Sequence, residues 1–197
     1  MARGTNVTDM KRNYRQAVKG EFPEFLRLSL QKESDLRYGE NPNQPGAIYK
    51  LGGTNLAELT NIRLAKSGKG GLSATNFMDV TRALEILKFF DVPAVAVMKH
   101  LVPSGFSVQH EHNSLREIYE LARDADARSA FGSIVVTNRP VDKETAEAII
   151  STYVEGVAAP EFEYGALDIL DQKKDLRAIL FSNLEKIPRF VGEATEK

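Results

Sequence analysis

Apolar side chains along this chain change period repeatedly, and each change predicts a new element. Over residues 9–31, Val18, Phe22, Phe25, Leu26 and Leu30 recur at helical spacing, interrupted at Pro23. "SDLRYGENPNQPGAIYKL" follows. Its glycines, prolines and asparagines predict an ordered loop that runs into a short strand, Ala47 to Leu51. "KSGKGGLSATN", residues 66–76, reads as a loop that either moves freely in solvent or touches a ligand. Residues 76–90 place Phe77, Val80, Leu84, Leu87 and Phe90 on one face of an amphipathic helix.

Strands and helices then alternate. Residues 94–98 predict a short apolar strand. Ser114 with Glu117 forms a capping-box pattern that opens a helix through about Asp124. "GSIVVTN", residues 132–138, is β-branched. Asp142 caps the helix "KETAEAIIS". "GVAAP" reads as strand, "EYGALDILDQKK" as helix and "LRAILF", residues 176–181, as strand. This order predicts an α/β protein of three layers, with a mostly parallel sheet and helices on both faces. Ligands of such sheets gather at the carboxyl ends of the strands. That rule directs attention to Lys99-His100, Asn138-Arg139 and Ala159-Pro160, with the tight segment "ARSAFGS" (127–133) before the second strand. No G-x-G-x-x-G follows a strand, the Gly-rich loop lacks the Walker A spacing, and no G-x-S-x-G or H-E-x-x-H occurs.

Composition narrows the chemistry. The 197 residues carry a formal net charge of -1, which argues against a nucleic-acid binder but not against a small anionic metabolite. There is no cysteine, so disulfides, thiolate nucleophiles and Cys-based zinc sites are excluded. The three histidines are His100, His110 and His112. The last two form an H-x-H pair without an evident third ligand, and we expect a solvated loop and no catalytic metal. The polar start "MARGTNVTDMKRNYRQ" has no signal-peptide pattern, and no apolar run reaches membrane-spanning length. The expectation is a cytoplasmic protein with no membrane or nucleic-acid partner.

Four segments in order, "LRYGENPNQ" (36–44), "SATNFMDVTRALEILKFFDVPAVAVMKHLVPSG" (73–105), "SAFGSIVVTNRPVD" (129–142) and "VEGVAAPEFEYGALDIL" (154–170), resemble the transformylase part of the AICAR transformylase/IMP cyclohydrolase family. The resemblance covers roughly residues 33–182. The helical spacing noted above leaves an N-terminal helical segment, 1–32, and the resemblance implies a first transformylase unit, 33–197, with a cytidine deaminase-like fold. It also implies formyl transfer from 10-formyltetrahydrofolate, as co-substrate, to the 5-amino group of the ribotide AICAR, giving FAICAR in purine biosynthesis. The cytidine deaminases use zinc thiolates, which a chain without cysteine cannot supply.

The resemblance assigns His100 as general base and Lys99 as its electrostatic partner. The chemistry suits them. An imidazole that titrates near neutrality can take the proton from the attacking amine, and a neighbouring cation stabilises charge developing on the carbonyl oxygen. On spacing alone, both would read as a solvated strand end. The resemblance also assigns Arg37, Tyr38, Asn76, Gly132 and Glu155 to ribotide binding. Arg37 offers a planar fork and Tyr38 a flat ring. Asn76 reads equally as a helix cap, Gly132 as a plain tight turn, and Glu155 as an exposed charge at a strand start.

Two departures stand out. The family usually has Asn or Ser before the Pro of "KHLVPSG", where this chain has Val102. No internal repeat supplies the second transformylase unit, which in the family contributes much of the folate site. The expectation is therefore a unit active only as a homodimer or with a second unit or partner chain. The alternatives are a non-catalytic ribotide-binding or regulatory protein, or an inert structural partner within a heteromeric enzyme.

Overall fold

The computed structural model describes residues 24, 25, 27–51 and 61–187. Most of the helix expected over 9–31 lies outside those residues. Its last positions are not helical, since Leu30 opens strand β1 (Leu30–Asp35). Strand β1 pairs antiparallel with β2 (Ala47–Leu51), which has the bounds its pattern predicts, and the "RYGENPNQPG" loop joins them.

Among the described residues the main sheet has six strands: β3 (Arg63–Lys66), β4 (Ala94–Lys99), β5 (Val102–Val108), β6 (Ser133–Thr137), β7 (Val154–Ala159) and β8 (Arg177–Leu180). Their order is β3-β8-β7-β6-β4-β5. Only β6–β7 and β7–β8 pair parallel; β3–β8, β4–β5 and β4–β6 are antiparallel. The sheet is mixed, which corrects the expectation of a mostly parallel one.

The reason is β5, which the sequence reading missed. "VPSGFSV" contains Pro103, Ser104, Gly105 and Ser107, and these argue against a strand. At a sheet edge such residues are tolerated, because one side of the strand needs no partner. Strands β4 and β5 form a tight hairpin, and the chain then crosses over β4 through a helix to reach β6. Strand β5 is therefore the one aligned with β6, and β4 runs against both.

Helices cover both faces. Helix α1 (Ala74–Leu87) buries Val80, Ala83, Leu84 and Leu87 at three- and four-residue spacing. It packs with Ala94, Ala96, Met98, Ile134, Val136, Ala158 and Ile179 in one apolar cluster. The alternate strand residues Val95, Val97, Val135, Val157 and Ala159 face the other way. There they meet α2 (Leu115–Asp124), α3 (Lys143–Ile150) and α4 (Ala166–Asp171). The Ser114/Glu117 capping box and the Asp142 cap both form as their patterns predict.

Gly105 locks the edge hairpin onto this framework. A side chain there would overlap the Ala122 carbonyl oxygen at the end of α2, so only glycine lets helix and strand approach this closely. Gly105→Ala is expected to lower stability by about 1–3 kcal/mol, the usual cost of overfilling a packed contact. Denaturant unfolding checks this, and an unchanged midpoint would contradict it.

Candidate functional site

Because β4 runs against β6, the carboxyl end of β4 arrives at the amino ends of β6, β7 and β8. Lys99-His100 therefore lies at one edge of the sheet, and Asn138-Arg139 and Ala159-Pro160 lie at the other. The carboxyl-end rule fails here, because it presumes a common strand direction. At the far edge Asn138 is spent on structure. Its carboxamide accepts from the Ala94 N–H and donates to the carbonyls of Phe90 and Val92.

The Lys99 edge collects every residue that the resemblance singled out. Lys99, half-buried, donates through Nζ to the Gly132 carbonyl at 2.8 Å. Gly132 has φ +70°, and its N–H donates to the Tyr153 carbonyl. A Cβ on Gly132 would sit 3.0 Å from Lys99 Nζ and 3.8 Å from Glu155 Oε1. The bare glycine thus keeps open the space between an ammonium and a carboxylate. Phe131 and Tyr153 stack beside it with ring centroids 4.8 Å apart, both largely exposed.

Asn76 is not the helix cap. Ser73 holds that position, and Asn76 sits three residues on, its Oδ1 accepting from the Ser73 N–H. That leaves its Nδ2 free to donate to Glu155 Oε2 at 3.0 Å. Glu155 also lies 3.9 Å from the Arg177 guanidinium. Arg177, 4% exposed, donates to the carbonyls of Gly71 and Glu155. One buried cation thereby ties the Gly-rich loop to β7 and to the start of β8. A buried guanidinium is retained in a fold when it is paired and bonded, as it is here.

The "RYGENPNQ" loop docks onto the same corner. The Arg37 N–H donates to the Leu72 carbonyl, and the Ala74 N–H donates to the Tyr38 carbonyl. The Arg37 guanidinium stacks over the Tyr38 ring at 5.0 Å and is exposed, while Tyr38 is half-buried. Gly70 packs near the Arg37 side chain. Arg37, Tyr38, Asn76, Glu155, Gly132 and Lys99 therefore share one corner of the molecule.

His100 is exposed and occupies a two-residue turn with Leu101, with φ of +52° and +69°. Asp79, on α1, accepts from the Leu101 N–H at 2.6 Å. Asp79 is 4% exposed, and burial raises its carboxyl above the ordinary range; the Leu101 bond and the charges of His100 and Lys99 partly offset this. Sequence reasoning missed Asp79 and Arg177. Each did leave a signal: Asp79 falls on the otherwise apolar stripe of its helix, and Arg177 interrupts an apolar strand. The His110–His112 pair sits in an exposed loop, and no three His, Asp or Glu side chains cluster as a metal site among the described residues. No helix among those residues is long and apolar enough to cross a membrane.

A model of the AICARFT/IMPCHase bienzyme family matches residues 5–193. The chain belongs to this family. Among its relatives in the family is the bifunctional purine biosynthesis protein PurH of Sorangium cellulosum, 44% identical over 166 residues, or 83% of this chain and 31% of that protein. The PurH of Acetivibrio thermocellus is 39% identical over 175 residues, covering 88% of this chain and 33% of that protein. The PurH of Bacillus cereus strain B4264 is 40% identical over 176 residues, with the same coverage. The chain spans about a third of the length of these curated relatives.

The raised carboxyl of Asp79 has a consequence for stability. The folded protein binds this proton more readily than the unfolded chain does. The group therefore penalises folding at neutral pH, and the penalty fades as pH falls through the raised value and is gone below the ordinary carboxylate range. Asp79→Asn keeps an oxygen for Leu101 and loses the charge. It is expected to raise the melting temperature at pH 7, with a gain that shrinks as pH is lowered. A melting temperature at or below that of the parent protein at pH 7 would contradict this.

Proposed function

We propose that the Lys99 edge is the ribotide-binding and proton-transfer half of an AICAR formyltransferase. The observation that carries this reading is the convergence of Arg37 and Tyr38, the Asn76–Glu155–Arg177 network, Gly132 and Lys99-His100 on one corner of the sheet. Family membership and the ordered motifs support the activity.

In this reading the AICAR 5-amino nitrogen attacks the formyl carbon of 10-formyltetrahydrofolate. A carbon–nitrogen bond forms, and negative charge develops on the formyl oxygen. His100 accepts the proton released by the amine. Lys99 stabilises the oxyanion or passes a proton to the leaving folate nitrogen as the old carbon–nitrogen bond breaks. The exposed imidazole is reachable by a substrate lying over the corner. Glu155 offers an acceptor for ribose hydroxyls, and Arg37 offers a fork for a phosphate or carboxamide oxygen. Gly132 lets the ligand approach backbone closely.

The three-layer arrangement accommodates the cytidine deaminase kinship that the resemblance implies, without its zinc. Residues 33–197 act as the first transformylase unit. The folate site is completed by a second unit, within a homodimer or with a partner chain, in the cytoplasm. We expect this chain alone to turn over very slowly, because donor and acceptor must be held together.

Two measurements test the reading. In calorimetry with AICAR, Arg37→Ala should weaken binding clearly, and indifference to the substitution would remove the "RYGENPNQ" loop from the site. With the second unit supplied, His100→Ala should lower kcat by about 100- to 10,000-fold, the usual contribution of a positioned base. A rate equal to that of the parent protein would show that His100 is structural.

A further inference from the structure

The β4–β5 hairpin closes through only His100 and Leu101, because Lys99 pairs directly with Val102. Both turn residues have positive φ, the mark of a type I′ turn. Such turns favour Asn-Gly or Asp-Gly, since a side chain with a Cβ is crowded in the left-handed region. His-Leu is a poor sequence for this geometry. Leu101 gains little in return, since it stays 40% exposed.

The turn is closed from outside the hairpin. The Leu101 N–H lies beyond the last strand pair, and Asp79 Oδ1 accepts it at 2.6 Å. Asp79 reaches it from α1, a separate element on the face of the sheet. Its position, one helical turn before Ala83, lies within a stripe that buries Val80, Ala83, Leu84 and Leu87. A carboxylate there is unfavourable for packing, and the titratable groups that face it are His100, Lys99 and Glu155. A glycine at 101 and an apolar residue at 79 would both suit the fold better. Two unfavourable choices meet in one hydrogen bond, and that bond fixes the peptide immediately after His100.

We propose that Asp79 is a positioning residue that holds the left-handed His100–Leu101 turn and thereby aims the His100 imidazole at the acceptor amine. The proposal rests on the reading of His100 as the proton acceptor. Asp79 acts on the backbone of the turn and touches no substrate.

The test uses the chain assembled with the second transformylase unit. Asp79→Ala should lower kcat by about 100-fold, the scale of a misplaced catalytic group, with the ribotide KM essentially unchanged. Asp79→Asn, which keeps the accepting oxygen, should recover most of that loss. Leu101→Gly in the Asp79→Ala background should recover part of it, because glycine takes up the turn without help. Asp79→Leu replaces Asp79→Ala if the latter does not fold. Hydrogen exchange of the Leu101 amide gives a second readout on the chain alone: slow in the parent protein and in Asp79→Asn, fast in Asp79→Ala or Asp79→Leu. Undiminished kcat in Asp79→Ala, while His100→Ala is impaired, would overturn the proposal. So would an Asp79→Asn variant no better than Asp79→Ala. If His100→Ala instead kept the parent rate, the reading of His100 would fail, and with it the aim assigned to Asp79. The Leu101 exchange rates would then show separately whether Asp79 still shapes the turn.

Discussion

The reversal of direction at His100–Leu101 is the constraint on which the rest of the molecule depends. A two-residue turn sends β5 back along β4, and the helical crossover then delivers β6 antiparallel to β4. Lys99 consequently ends beside Gly132 rather than at the far side of the sheet. Were β4 parallel to β6, Lys99-His100 would stand a whole strand length from Gly132 and Glu155. The chain accepts left-handed backbone at two successive non-glycine residues here, and the close contact of Gly105 with α2 and the Asp79 bond from α1 secure the hairpin.

Near that turn Ser73, Asn76 and Arg177 are buried and hydrogen-bonded. Ser73 and Asn76 satisfy each other's backbone at the start of α1, which leaves one Asn76 amide donor for Glu155. Arg177 neutralises Glu155 and pins the Gly71 carbonyl. Each member of the network thus fixes the next, and the loop bearing Arg37 and Tyr38 is bonded to the same helix start. Satisfied networks of this kind hold a site rigid, whereas a half-satisfied one destabilises the fold. The corner is therefore shaped before any ligand arrives.

Local patterns made much of the fold legible. The capping box at Ser114 and Glu117, the Asp142 cap and the run Ala47–Leu51 formed where short-range chemistry placed them, while the helix expected over 76–90 runs Ala74–Leu87, keeping Val80, Leu84 and Leu87 on its stripe and leaving Phe90 beyond its end. Strand β5 was illegible because Pro103 and Gly105 are breakers by propensity, and only its edge position makes them acceptable. Strand β3 is four residues long and mostly exposed, too short to carry a period. Missing β5 reversed the expected direction of β4 and so misplaced the far-edge loops. The site residues came from motif resemblance. Asp79 and Arg177 required the structure, because their partners lie 22 residues away at Leu101 and 106 residues away at Gly71.

Ribotide binding at the Lys99 edge of the sheet can be followed through the backbone amide resonances of the chain as AICAR is added. Shifts are expected at Tyr38, Gly71, Asn76, Leu101, Gly132 and Glu155, with Asn138, Arg139 and Ser182 at the opposite edge unmoved. Saturable shifts centred on Asn138, Arg139 and Ser182, with the Lys99 corner silent, would contradict this.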